Sequence, residues 1–161
     1  MQKNKRGIEL SFNVMFSIIL IIATIAIAFY VISAFLGTKK CAEVNLFYEN
    51  LEEHITDAWN SRIHQGKCCS AILPSNIELV CFGNSTQTPA REYKEQYEEL
   101  ARYNKKSNVF LYPPESACET GSKKISHFRT DEFFCVPVKN NKINIKTRMS
   151  EFESQVTISG E

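Results

Sequence analysis

Val14 to Leu36 is a run of 23 residues without a charge, interrupted by Ser17, Thr24 and Ser33 alone among the small polar residues. As a helix it extends roughly 35 Å, enough to cross a hydrocarbon layer of ~30 Å with a little tilt. Such a segment is expected to lie in a membrane and to leave the remaining 125 residues on one side of it. A cleavable secretory signal is the competing explanation. Its apolar region is only ~7–15 residues and ends at a small-residue site, whereas Ala34-Phe35-Leu36 followed by Gly37-Thr38-Lys39-Lys40 offers a poor one.

Lys3, Lys5 and Arg6 precede the run and Lys39 and Lys40 follow it. With the free amino group counted, the N-terminal side is the more basic, which favours a cytoplasmic N-terminus. All six cysteines (Cys41, Cys68, Cys69, Cys81, Cys118, Cys135) come after the run. An even, dense set in a small domain reads as disulfides, which persist outside the cytoplasm. Residues 1–36 carry +2, so the total of +1 leaves −1 for residues 37–161. A nearly neutral head gives no electrostatic basis for binding nucleic acid.

Lys5-Arg6-Gly7-Ile8-Glu9-Leu10-Ser11-Phe12-Asn13, running directly into the apolar segment, resembles the class III signal peptides of type IV pilin-like proteins, particularly archaeal ones. The match covers about residues 3–36. The resemblance implies that a prepilin-type membrane peptidase cuts after Gly7, making Ile8 the new N-terminus, and that the mature helix packs into a filament or pseudopilus. Pilins usually carry a glutamate at the fifth position after the cut; here that position is Phe12, and the nearest acid is Glu9. A carboxylate at Glu9 also suits the first turn of a helix, where the backbone dipole favours it.

At ~100° per residue, and with Glu9 as the origin, Asn13 falls near ~40°, Thr24 near ~60°, Ser17 near ~80° and Ala28 near ~100°. The small and polar residues therefore form one stripe. In lipid, small residues allow helices to approach and polar ones hydrogen-bond across the contact, so the stripe predicts homo- or hetero-oligomers formed through this helix. Ser and Thr bonded to their own backbone are the plainer alternative, and an aligned stripe that includes Asn13 favours association.

Beyond Lys40 the pattern becomes amphipathic. Val44, Phe47, Tyr48, Leu51, Ile55, Ala58 and Trp59 fall on one face about 120° wide. Glu49, Glu52, Glu53, Asp57 and Asn60 lie elsewhere. Gly66 is a candidate terminator, and the first proline is Pro74. One helix is therefore expected from about residue 8 to 65, with Gly37 as a candidate bend. Strands are expected at Cys69–Leu73 and Ile77–Phe82 as a hairpin, at Val109–Tyr112, at Phe133–Val138 and Ile143–Lys146 as a second hairpin, and at Val156–Ser159. Thr88-Pro89 reads as the start of a helix ending near Asn104. Glu115–Lys124 has the weakest pattern.

Six cysteines allow 15 pairings. A helix over residues 41–65 would hold Cys41 ~40 Å from Cys68 and Cys69, far beyond the ~7 Å that disulfide Cα atoms tolerate, and adjacent cysteines pair poorly. The expected schemes join Cys41, Cys68 and Cys69 to Cys81, Cys118 and Cys135. Cys69–Cys81 suits the first hairpin, and Cys118 and Cys135 divide Cys41 and Cys68. No C-x-x-C pair occurs and His54, His64 and His127 are isolated from the cysteines, so no metal site is expected.

No nucleophile elbow, P-loop or dinucleotide fingerprint is present. His54, Asp57 and Glu53 read as a solvated helix surface, and Trp59, Tyr93, Tyr97 and Tyr103 as packing residues. Asn84-Ser85-Thr86 is a glycosylation sequon in a turn-rich loop. The expectation is therefore an α+β protein with no cofactor and no enzymatic role: a basic tail or leader (1–7), a transmembrane helix (8–36), and an extracytoplasmic head (37–161). The head continues the helix through 41–65 and covers it with a small disulfide-bonded antiparallel sheet.

Overall fold

The computed structural model describes residues 12–68, 72–103 and 105–160. It divides into Met1–Thr38 and Lys39–Glu161. Helix α1, Phe12–Asn60, runs through both and is unbroken at Gly37. In the first unit the large apolar side chains of α1 are exposed, from Val14 at 47% to Phe12 at 80%. In the second, Val44, Phe47, Tyr48, Leu51, Ile55 and Ala58 are at most 1% exposed. Each large side chain so covered contributes ~1.5–3 kcal/mol.

The helix stops earlier than the expected 65. Ser61 donates its amide to the Asp57 and Ala58 carbonyls (3.1 and 3.3 Å), and its hydroxyl to Asp57 again (2.7 Å). Arg62 then adopts a left-handed φ of 56°, a common way to end a helix. Gly66 lies inside strand β1 (His64–Cys68) instead of capping the helix.

The remaining elements are β2 (Leu79–Phe82), α2 (Lys94–Tyr103), β3 (Val109–Tyr112), β4 (Ser122–Lys123), β5 (Phe128–Arg129), β6 (Phe134–Pro137), β7 (Ile145–Met149) and β8 (Val156–Gly160). They form two four-stranded sheets ordered β1-β7-β8-β5 and β4-β3-β2-β6. Every pairing is antiparallel except β5 with β8. The head is thus α+β, with two sheets where the sequence suggested one.

Strand β7 alternates buried Ile145, Thr147 and Met149 with exposed Lys146 and Arg148, the signature of a sheet with one wet face. In the second sheet both faces are covered. Val80, Phe82, Val109 and Leu111 join the cluster around α1, while Cys81 and Phe110 join one with Leu100 of α2, Phe133, Tyr93 and Tyr97. Two covered faces are why β3 reads as an uninterrupted apolar run.

Neither expected hairpin forms among the described residues. β1 and β2 belong to different sheets, and no strand runs through Ile72 and Leu73; residues 69–71 lie outside the described set. Between β6 and β7 the turn does close. Lys139 pairs with Lys142 around left-handed Asn140 and Asn141, as two-residue turns with asparagine prefer. The flanking strands then separate, because β6 pairs with β2 while β7 is taken by β1 and β8. Helix α2 starts later than expected, since Pro89 bridges Phe133 and a 3-10 turn fills Arg91–Tyr93. The segment expected to be least regular holds a 3-10 turn, Pro114–Ala117, and β4.

Cys41 is bridged to Cys118, 77 positions away. Cys81 is bridged to Cys135, its partner in the β2–β6 register, which replaces the expected Cys69–Cys81 pair. Cys68 is also disulfide-bonded, and Cys69 lies outside the described residues. Closing loops of these lengths contributes ~2–5 kcal/mol per bridge. Replacing Cys41 and Cys118 together by serine is accordingly expected to lower the head's unfolding free energy by ~2–5 kcal/mol, measured by denaturant titration in detergent; an unchanged midpoint would contradict this staple.

Candidate functional site: the exposed apolar helix and the polar clefts of the head

The stretch of α1 from Phe12 to Thr38 is long and apolar enough to cross a membrane, and none of its apolar window is buried. Of the stripe residues, Asn13, Ser17, Thr24 and Ala28 are all exposed. Gly7, Ile8 and Glu9 lie outside the described residues. The Ser17 hydroxyl donates to the Asn13 carbonyl (2.8 Å) and the Thr24 hydroxyl to the Ile21 carbonyl (2.8 Å). Thr38, at the end of this unit, does the same to Ala34 (3.1 Å). These donors are satisfied within the helix and need no neighbour. The Asn13 carboxamide has no side-chain partner among the described residues, so among the described members of the stripe it is the one strong hydrogen-bonding group not closed on the helix itself.

Within the head, His54 is half-buried, not on the solvated surface its sequence context suggested. Its Nε2 lies 3.0 Å from the Thr147 hydroxyl on β7. Its ring meets that of His64 on β1 edge-on, with centroids 5.6 Å apart, while the His64 Nε2 is buried without a hydrogen-bond partner. Asn50, Glu53 and Asp57 from α1, Lys67 and Cys68 from β1, and Lys142 and Asn144 ahead of β7 complete a cleft of about 460 Å³. Burial and the neighbouring His64 hold the His54 imidazole below the usual histidine range, with Asp57 opposing them. Thr147 is fully buried, so the contact ties α1 to the first sheet.

Other side chains tie α1 in the same way. Lys123 of β4 pairs with Glu52 at 2.7 Å and lies 5.9 Å above the Tyr48 ring. Trp59 stacks on His127 (3.9 Å between centroids) and donates its indole N–H to the Ser154 carbonyl. Burial pushes the Tyr48 phenol up, so it stays protonated. Among the described residues no group of three or more His, Cys, Asp or Glu is placed to hold a metal ion. Sequence reasoning missed the His54–Thr147 contact because its members are 93 residues apart, beyond the reach of any periodicity.

No protein-family model, curated protein or solved structure matches the chain.

Two outcomes follow from this geometry. If α1 associates with other copies in lipid, Asn13→Leu should weaken that association by ~0.5–2 kcal/mol, read by energy transfer between labelled copies in vesicles, whereas Ser17→Ala and Thr24→Ala should change it little. A depressed His54 value means that neutral His54 contributes stability above the ordinary histidine pKa of ~6.5, lost as pH falls through the folded value. The head's thermal midpoint should therefore drop between about pH 7 and about pH 5, and His54→Gln should flatten that slope. An identical slope in the variant would assign the acid sensitivity elsewhere.

Proposed function

We propose that this chain is a pilin-like structural subunit of a surface filament or pseudopilus, held by α1 with its N-terminus cytoplasmic and its head outside. The observation that carries the reading is the exposure of the apolar side chains between Phe12 and Leu36 on a helix that continues into the core of a disulfide-bonded domain. An uncharged helix without cover finds a favourable environment in lipid or against other helices. The basic tail, the Gly7-Ile8 peptide and the carboxamide of Asn13 support the same assignment. In this reading the partners are the membrane, a prepilin-type peptidase, and copies of this or a related subunit.

Phe12, where such subunits usually carry glutamate, favours a second reading. In it the chain is a single-pass, membrane-anchored extracellular binding domain that makes no filament, and its first seven residues are retained.

The two differ at one bond. Mass spectrometry of the protein from its own membranes should find a mature chain beginning at Ile8, and Gly7→Leu should leave the tail attached and remove the filaments seen by negative-stain microscopy. A wild-type chain intact from Met1, purifying as a monodisperse monomer, would instead establish the anchored binding domain.

A further inference from the structure

The loop after β2 holds an arrangement on which the filament reading does not draw. Asn84 is the one asparagine in the sequence that opens an Asn-X-Ser/Thr triplet, and its X position is Ser85. The triplet's backbone is held from several sides. Asn84 donates its amide to Gln87 Oε1 (2.8 Å), and its carbonyl accepts from the Gln87 amide (3.1 Å). The Tyr97 hydroxyl donates to the Ser85 carbonyl (2.7 Å). Gln87 in turn accepts from the Thr130 hydroxyl (3.2 Å), fixing the turn to the segment ahead of Phe133.

Against this fixed backbone the Asn84 side chain is exposed. The Thr86 hydroxyl donates to its Oδ1 at 3.4 Å, while its Nδ2 has no partner among the described residues. A carboxamide whose oxygen is oriented by the hydroxyl two residues on, and whose nitrogen is open to solvent, presents that nitrogen to an external transferase. Asparagines elsewhere differ: Asn50 and Asn108 spend Nδ2 on the Leu46 and Ile125 carbonyls, and neither has Ser or Thr two residues on. Asn84 also stands at a cleft of about 400 Å³ whose lining includes Lys124 and Gln155, polar side chains beside the open nitrogen.

The geometry points to Asn84 as the attachment site of an N-linked glycan. The co-reactant is a polyprenyl phosphate- or pyrophosphate-linked oligosaccharide, supplied with a membrane transferase. Nδ2 forms a bond to the anomeric carbon, and the bond from that carbon to the phosphate oxygen breaks. The electron pair leaves with the phosphate and the amide proton passes to the transferase's base. The inference rests on the placement of the head outside the cytoplasm proposed above, not on filament formation.

The test is peptide mass spectrometry on the full chain from its own membranes, with protease treatment of intact cells run in parallel to report which side the head faces. The wild-type peptide containing Asn84 should be heavier by one or more sugar residues. Asn84→Gln and Thr86→Ala should abolish that excess and Thr86→Ser should retain it, with the Cys81–Cys135 bridge confirming folding in each variant. An unmodified Asn84 peptide on a head digested from outside overturns the site and leaves the filament reading standing. A glycan on a chain that keeps Met1 and forms no filament overturns the filament reading and supports the site. A head facing the cytoplasm overturns both.

Discussion

The burial of one helix face organises the head. Val44, Phe47, Tyr48, Leu51, Ile55 and Ala58 share a single cluster with side chains from both sheets, so neither sheet has a complete core without α1. Tyr48, Glu52, His54 and Trp59 then set the sheets against the helix through contacts with β4, β7 and the loops beside β5 and β8. Each of these partners lies far along the chain. The helix is therefore the local element, and the sheets supply the distant contacts that make its apolar face an interior.

What the sequence made legible follows from range. The apolar face of α1, strand β3 and strand β8 were readable because each is written in a few adjacent residues: helical spacing from Val44 to Ala58, an apolar run at Val109–Tyr112, alternation at Val156–Ser159. The partition into two sheets was not. Lys139-Asn140-Asn141-Lys142 is good turn chemistry and does form a tight turn, but turn chemistry does not choose which neighbours the emerging strands take. Strand β1 was missed because His64-Gln65-Gly66-Lys67 carries no β-branched or aromatic residue. It is a strand because β7 offers it an open edge.

The cysteines show the same limit. Distance along a helix correctly separates Cys41 from Cys68, but it cannot say that Cys81 will stand opposite Cys135 in a ladder whose members are 54 residues apart. For the candidate sites, the stripe on α1 was legible as an angle. Only the coordinates separate its described members, since Ser17 and Thr24 close on their own backbone and the Asn13 carboxamide has no partner among the described residues. At Asn84 the triplet was legible and the free amide nitrogen was not.

The Cys41–Cys118 bridge has a mechanical meaning. Cys41 lies where α1 enters the head, so tension arriving along the helix meets a covalent bond before it meets any packed side chain. Without that bond, a pull on α1 would fall on the packing of Val44, Phe47 and Leu51 alone. With it, the load passes to Cys118 and is shared through the neighbouring β3–β4 edge of the second sheet.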